Sequence, residues 1–378
     1  MNPKSTFYIV GSIIAVVLIV AVSAYFAMHK TQTVNIGNSI NKLTVPVVGS
    51  TVSSSVKSTL PVSQPSLPKV TALMKAAPPL PIGTDQFTIT LDATSSTTVA
   101  QSLFDGLFIT NQSAFVDIAS KTNEVFAPGA YKLSKTMTPV QILTVLSSKP
   151  YMKWVVIPEG LRKEEIALLL AKALGWTNTT KQKFITATNA NPDYTEGVYF
   201  PDTYLIPATE APADVANRLI AKFNEKFSPL LPLFSTQNIK WTTGLTLASI
   251  IQREAANDAD MSLIAGILWN RLNQNMPLDV DATLQYARGD IGAGYWAPIT
   301  TADKKTDSPY NTYINTGLPP HPISNPGLSA IEAVLQPAST TCLYYIHDSN
   351  HVTHCATTYQ EHLDNIQEYL VSTSTVSQ

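Results

Sequence analysis

Cysteine is nearly absent from this sequence, and charged residues are scarce. Among 378 residues there are two cysteines, and Asp, Glu, Lys and Arg make up 14% of the chain, against about 25% in ordinary soluble domains. The 25 basic and 27 acidic residues leave a net charge of −2, so nucleic acid is excluded as the expected partner. Because 44% of the residues are hydrophobic, disorder along the whole chain is also excluded.

Motifs that identify several common enzyme classes are missing as well. The sequence has no GxSxG, P-loop or GxGxxG run, so serine hydrolases and nucleotide-binding enzymes are not the first expectation. His347, His351 and His354 crowd between the cysteines, where a zinc site is one interpretation. Solvated histidines are favoured instead, because HExxH and CxxC spacings are absent. We therefore expect no metal and no cofactor.

Residues 7–28 form an apolar run without a charge. At 1.5 Å per residue such a helix spans a hydrocarbon core of about 30 Å, which predicts a single transmembrane helix after a cytoplasmic N-terminus of residues 1–6. A cleaved signal peptide is the alternative, but the run exceeds the usual apolar length of about 7 to 15 residues. The charges flanking the run favour only weakly an orientation with the rest of the chain outside.

Two features agree with an external location. Residues 29–85 are rich in Ser, Thr, Val and Pro, a composition that predicts a tether rather than a packed domain. Cys342 and Cys355 bracket two short predicted strands around a polar turn. A disulfide across this hairpin is plausible outside the cytoplasm, and two reduced thiols are the alternative.

The remaining chain is predicted to be α+β. A weak repeat at an offset of 67 residues pairs FTITL at 87–91 with WVVIP at 154–158, each followed by a polar turn and a helical segment. This repeat predicts small α/β units over residues 86–195, acting as scaffold or glycan-binding modules. Between the repeated segments, Thr138 and Pro139 are suited to begin a short helix.

Residues 196–370 are predicted to form a second, mixed α/β domain, followed by a disordered tail at 371–378. Two helices are expected within 243–275, separated by the polar residues 257–260. From residue 277 onward Gly, Pro and Asn become frequent, which predicts long ordered loops of the kind that often carry binding residues.

Glu254 is the candidate proton donor. On a helix predicted to begin near Leu245, it follows Leu247, Ile250 and Ile251 by seven, four and three positions, so its carboxyl lies on or beside an apolar stripe. Desolvation there raises the pKa of a carboxyl and fits it for general acid catalysis near neutral pH. A structural ion pair with Arg271 is the competing interpretation.

Asp279 and Asp281 alternate around Val280, so on an extended segment both would face the same side. They are candidates for a second carboxylate or a metal pair. Turn formation and helix capping are the more common roles of isolated aspartates.

The second half resembles a known family. The helix LASIIQRE, residues 247–254, resembles the LASIVEKE helix of the YceG-like, or MltG-type, endolytic murein transglycosylases. Further segments resemble the family's EGYLFPDTY, NRL…MPLQTDPT, SPYNTY, GLPP, NPG and closing T..EH motifs in the same order, at residues 196–204, 270–283, 308–313, 317–320, 325–327 and 358–362. The resemblance runs from about residue 125 to 366, and the family's membrane-proximal part is LysM-like.

This resemblance implies cleavage of the β-1,4 bond between N-acetylmuramic acid and N-acetylglucosamine within nascent glycan strands, which leaves a 1,6-anhydro end and terminates elongation. It implies that Glu254 is the single catalytic residue and that residues 196–370 are the catalytic domain. It also implies a bacterial plasma membrane location, with the catalytic domain on the extracytoplasmic side and peptidoglycan synthases as partners. The substrate-binding residues it implies are Asp281, Asn270, Arg271, Tyr310, Asn311, Glu361 and His362.

The chain departs from the family pattern at a few positions. Gln252 replaces the first glutamate of the EKE triplet, so the chemistry must rest on Glu254. Ala282 stands where the family has proline, and Thr357 where lysine is usual. Two other functions compete: a non-catalytic peptidoglycan-binding scaffold, and an inverting muramidase that uses Asp281 as the base for water.

Overall fold

The computed structural model describes residues 62–69, 80–122, 125–190 and 194–371. The transmembrane helix predicted at residues 7–28 lies outside these ranges, as does nearly all of the predicted tail. Within the described ranges, no helix has the length and apolar character needed to cross a bilayer.

The described chain is a mixed α/β structure. Its strands are β1 Asp85–Ile89, β2 Gly129–Leu133, β3 Met152–Val156, β4 Thr203–Pro207, β5 Tyr344–His347 and β6 Thr353–Ala356. Its α-helices are α1 Ser96–Asp105, α2 Gln112–Ser120, α3 Pro139–Leu146, α4 Lys163–Leu174, α5 Asn178–Thr188, α6 Pro212–Phe227, α7 Leu231–Thr236, α8 Trp241–Glu254, α9 Met261–Asn273, α10 Asp281–Arg288, α11 Leu328–Leu335 and α12 Tyr359–Ile366. Shorter helical turns are Ser228–Leu230, Asp303–Lys305 and the π-helical Gln367–Val371.

Two β-α-α-β units build the four-stranded sheet. β1 pairs antiparallel with β2 and β3 with β4, while Ala130 opposite Met152 joins the units, giving the order β1-β2-β3-β4. The second unit begins at Met152, 67 residues after Asp85, and its first helix follows that of the first unit at the same offset. The predicted repeat is therefore confirmed at the level of secondary structure.

The second unit extends beyond the domain boundary predicted at residue 195. Five residue pairs join β3 to β4, from Met152 opposite Pro207 to Val156 opposite Thr203. The motif EGVYFPDTY, which the sequence predicts to lie in the second domain, thus leads directly into the last strand of this unit.

Two hydrophobic cores stabilise the described chain. One is formed by the first unit together with α3 and includes Phe87, Leu103 and Phe115. The other is larger and extends from Val155 to Leu335, so that the second unit and the helices after it share one core. The helix that carries the candidate proton donor crosses this larger core.

The predicted start of α3 at Thr138 and Pro139 is confirmed. The Thr138 hydroxyl accepts a hydrogen bond from the Gln141 backbone amide, and the Gln141 side chain accepts one from the Thr138 amide. Pro139 occupies the first helical turn, where its missing amide donor costs nothing.

The tether prediction is wrong for residues 62–69, which bind to the folded part of the chain around Trp241. The side chain of Gln64 donates to the carbonyl of Ile239 at 2.8 Å and accepts from the amide of Trp241 at 3.0 Å. The indole of Trp241 also donates to the carbonyl of Pro65 at 2.8 Å. Composition alone could not show this, because the free carbonyls of a proline-rich segment find their donors on distant side chains.

Candidate active site

Glu254 is the last residue of α8, a helix whose apolar stripe is fully buried. Leu247, Ile250 and Ile251 each expose 0% of their surface, which confirms the predicted helix face. The helix begins at Trp241, earlier than predicted, and this first residue is itself a buried core side chain. Glu254 follows the stripe at the helix end and stays partly exposed.

The phenol of Tyr345 donates a hydrogen bond to Oε2 of Glu254 at 2.6 Å. Tyr345 lies on β5, 91 residues further along the chain. The competing ion pair between Glu254 and Arg271 is not formed among the described residues, because Arg271 Nη1 pairs with Asp279 Oδ2 at 3.1 Å. Glu254 is therefore held by a neutral donor rather than by a guanidinium.

The surroundings of Glu254 raise its pKa above the ordinary value for glutamate. Burial is the largest cause, and the nearby carboxylate of Asp281 acts in the same direction. The hydrogen bond from Tyr345 and the positive fields of His347 and Arg253 oppose the shift without cancelling it. A carboxyl in this environment keeps its proton to higher pH than a solvated one, which suits a general acid.

The predicted extended arrangement of Asp279 and Asp281 is wrong. Asp279 has a φ of 54°, and Asp281 is the first residue of α10. Asp279 is bound to Arg271, whereas the hydroxyl of Tyr313 donates to Oδ1 of Asp281. The two carboxylates therefore have separate partners, and Asp281 is the one whose charge acts on Glu254.

Asn270 and Arg271, predicted to bind substrate, donate hydrogen bonds to the protein's own backbone. Asn270 Nδ2 donates to the carbonyls of Thr340 and Cys342 at 2.8 and 3.1 Å. Arg271 is 7% exposed, and its Nε donates to the carbonyl of Leu343 at 2.7 Å. These donors fix the segment that leads into β5, and a family motif cannot distinguish that role from substrate contact.

Asn311 also has a structural role. It exposes 0% of its surface, and its Nδ2 donates to the carbonyls of Lys304 and Thr306. Tyr310 is partly exposed and packs against Tyr286 with ring centroids 5.0 Å apart. Of this pair, Tyr310 alone retains surface toward solvent.

Glu361 and His362 lie on α12, where both are engaged within the protein. Glu361 completes a capping box with Thr358 at the start of the helix. His362 stacks on Tyr344 with ring centroids 5.4 Å apart, and burial, followed by the charge of Arg271, lowers its pKa. Glu361 thus caps α12 and His362 packs on β5, and their contact with substrate stays a prediction.

Cys342 and Cys355 form a disulfide that links the residues just before β5 to β6, which is one of the two alternatives that the sequence left open. His347 Nε2 lies 3.1 Å from Asp260 Oδ2, and His354 Nε2 lies 3.1 Å from Asp348 Oδ2. Each of these histidines therefore pairs with an aspartate. In the described ranges, no three His, Cys, Asp or Glu side chains converge as metal ligands.

Gln252, the departure from the family pattern, links two loops at the end of α8. Its Oε1 accepts a hydrogen bond from the backbone amide of Gly327 at 2.9 Å, and its side chain also bonds to Glu159. A Cβ on Gly327 would lie only 1.9 Å from Glu159 Oε1. The segment IPEG, residues 157–160, and the NPG turn therefore meet beside Gln252.

Sequence reasoning missed the aromatic partners of the site. The Arg253 guanidinium lies 3.8 Å from the ring centroid of Trp296, and the Trp296 indole donates to Glu165 at 2.9 Å. Tyr313 and Tyr345, which bind the two carboxylates, were also missed. Tyr313 could have been found, because it lies in the SPYNTY motif. Tyr345 could not, because it lies in none of the family motifs.

Comparisons with known proteins point to a single family. The sequence model of the YceG-like family matches residues 87–368. The chain is 28% identical over 279 residues to an endolytic murein transglycosylase of Streptococcus pneumoniae serotype 2, covering 65% of this chain and 51% of that protein. It is 31% identical over 271 residues to an endolytic murein transglycosylase of Bacillus subtilis, covering 65% and 74%.

A solved structure is also similar. A crystal structure of a YceG-like protein from Listeria monocytogenes matches with a TM-score of 0.52 at 26% identity, covering 74% of this chain and 98% of that one. The chain spans about half the length of the streptococcal relative.

Proposed function

The chain belongs to the YceG-like family, and from that premise we propose that it is a lytic transglycosylase that cuts peptidoglycan within its glycan strands. The observation that carries the proposal is the state of Glu254, a partly buried carboxyl with a raised pKa at the end of a buried helix face. The relatives named endolytic murein transglycosylases support the reaction class.

The bond cleaved is the β-1,4 bond between N-acetylmuramic acid and N-acetylglucosamine. Protonated Glu254 gives its proton to the glycosidic oxygen as the bond from that oxygen to C1 breaks. The muramyl 6-hydroxyl oxygen then forms a bond to C1, and the Glu254 carboxylate takes the hydroxyl proton. The products are a free 4-hydroxyl and a 1,6-anhydro end, and Glu254 is again protonated without a water molecule being consumed.

Asp281 and Tyr310 are the accessory residues of this proposal. The charge of Asp281 raises the pKa of Glu254 and favours the positive charge that develops at C1 in the transition state. Tyr310 is partly exposed and offers a ring and a hydroxyl for sugar contact.

The proposed setting is the outer face of a bacterial plasma membrane, with residues 7–28 as the anchor. The disulfide between Cys342 and Cys355 supports an oxidising location. The two β-α-α-β units are proposed to be LysM-like modules that hold the strand, and synthases that extend the strand are the proposed partners. Action on nascent strands would terminate their elongation.

Product mass tests the reaction class. Purified, uncrosslinked glycan strands are incubated with the protein, and the new ends are analysed by mass spectrometry. The proposal expects 1,6-anhydro-muramyl ends. Reducing muramyl ends, heavier by one water, would instead support an inverting muramidase with Asp281 as base, and binding without any new ends would support a scaffold.

A further inference from the structure

We propose that Tyr345 is a positioning residue that fixes the orientation of the Glu254 carboxyl and directs its transferable proton to Oε1. This inference rests on the proposed function, because it concerns the proton that Glu254 transfers. The phenol donates to Oε2 of Glu254 at 2.6 Å, so a lone pair of Oε2 is occupied. The oxygen left for the substrate is Oε1.

The phenol keeps its own proton throughout the working pH range. Burial raises the pKa of Tyr345 far above the ordinary value, and the charge of Glu254 raises it further. Tyr345 is therefore a permanent donor and does not compete with Glu254 as the acid. Such a donor also stabilises the carboxylate that forms after proton transfer.

Tyr345 can orient Glu254 only if it is itself held in place, and its hairpin is anchored on both strands. On β5, His347 bonds to Asp260, and on β6 the hydroxyl of Thr353 donates to the same carboxylate at 2.7 Å. The Cys342–Cys355 disulfide joins the segment just before β5 to β6.

The backbone ahead of β5 is fixed by side chains from α9. Asn270 binds the carbonyls of Thr340 and Cys342, and Arg271 binds that of Leu343. The residues predicted to bind substrate therefore support the strand that presents Tyr345. The position of the Tyr345 phenol is therefore set by contacts of its own strand and does not depend on the Glu254 carboxyl.

The groups that face Glu254 come from several elements. Tyr345 and His347 approach from β5, Asp281 from α10, Arg253 from its own helix, and Tyr313 from the loop after α10. Of these, Tyr345 is the one that donates a hydrogen bond to Glu254 in the described chain. Because this bond favours the ionised form, its removal raises the pKa of Glu254.

Tyr345→Phe and its neighbour Tyr344→Phe form a matched pair. Each removes one hydroxyl from β5, and the ring of Tyr344 stacks on His362 on the other side of the strand. The rate of anhydro-end formation is measured on glycan strands against substrate concentration and against pH. For Tyr345→Phe we expect kcat to fall by at least about tenfold with KM little changed, because an orienting contact is lost.

The pH profile provides the second readout. In Tyr345→Phe the alkaline limb of kcat, which follows deprotonation of Glu254, should move to higher pH, whereas Tyr344→Phe should match wild type in kcat, KM and pH profile. A Tyr345→Phe variant with the kcat and alkaline limb of wild type would overturn the inference, as would equal losses in both variants. If wild type forms no anhydro ends, the proposed function fails instead.

Replacement of Tyr345 by 3-fluorotyrosine keeps the test decisive if Tyr345→Phe unfolds. Fluorine strengthens the phenol as a donor while the ring and its packing remain nearly unchanged. The alkaline limb should then move to lower pH, opposite to the shift in Tyr345→Phe. An unshifted limb in a folded protein would contradict the inference.

Discussion

Asn325 donates a hydrogen bond from its side-chain amide to the buried carboxyl of Glu196, 129 residues away in the chain. The same carboxyl accepts from the backbone amide of Lys163 at 3.0 Å. Asn325 also donates to the carbonyl of Leu161 and accepts from the amide of Tyr199. This pair thus joins the residues just after Gly160, the EGVYF segment and the NPG turn at one buried point.

The first prediction concerns stability against pH. Burial raises the pKa of Glu196 to about 8, above the ordinary value that it regains on unfolding. Between these two values the folded state binds one more proton than the unfolded state, so stability falls as pH rises, by up to about 1.4 kcal/mol per pH unit. Below the unfolded pKa the full stability is present, and above pH 8 the loss is complete.

Glu196→Gln removes this titration and retains an acceptor for Lys163 and Asn325. Urea unfolding at pH 5 and pH 8 should show a smaller loss of stability in Glu196→Gln than in wild type. Glu332→Gln, at an exposed position, is the control and should behave like wild type. If all three proteins lost the same stability between pH 5 and pH 8, the prediction would be contradicted.

The second prediction concerns the segment 62–69. Gln64→Ala removes two hydrogen bonds, one to the carbonyl of Ile239 and one from the amide of Trp241, and should lower the free energy of unfolding by about 1–3 kcal/mol. Ser63→Ala alters an exposed neighbour and should have little effect. Equal stability of the two variants would show that residues 62–69 do not stabilise the folded chain.

The third prediction concerns the hairpin disulfide. The bond closes a loop with a sequence separation of 13, for which about 3 kcal/mol of stabilisation is expected. Replacing Cys342 and Cys355 together with serine should lower stability by about this amount and also reduce turnover, because Tyr345 is presented by the same hairpin. Denaturant melts measure the loss of stability, and strand-cleavage rates measure the loss of turnover. An unchanged turnover would show that the disulfide does not contribute to the position of Tyr345.

The fourth prediction concerns Asp281. Its carboxylate raises the pKa of Glu254, so Asp281→Asn should lower that pKa and move the alkaline limb of activity to lower pH. The asparagine side chain can still accept the hydrogen bond from Tyr313. Asp307→Asn, an exposed change of the same kind, is the control, and an unshifted limb in Asp281→Asn would contradict the electrostatic coupling.

Features with local causes could be predicted from the sequence. The start of α3 at Thr138 and Pro139, the buried stripe of α8 and the hairpin between the two cysteines each depend on residues that are close in the sequence. The repeated strand and helix at an offset of 67 residues depend on patterns of the same short range.

Features with distant causes could not be predicted. The left-handed backbone of Asp279 accompanies its ion pair with Arg271 and the bond from its amide to the carbonyl of Thr312. The bond between Tyr345 and Glu254 joins residues 91 positions apart. Motif membership identified Asn270 as important, but only the fold could reveal that its donors bind backbone.

The central claim is that the proton transferred in the reaction belongs to Glu254, and Glu254→Gln tests it most directly. The variant preserves the size of the side chain and an oxygen acceptor for Tyr345. The rate at which anhydro ends form on glycan strands should fall at least about a hundredfold, as expected for loss of a general acid and base, while strand binding measured by co-sedimentation is retained. Anhydro ends formed by Glu254→Gln at the wild-type rate would contradict the account.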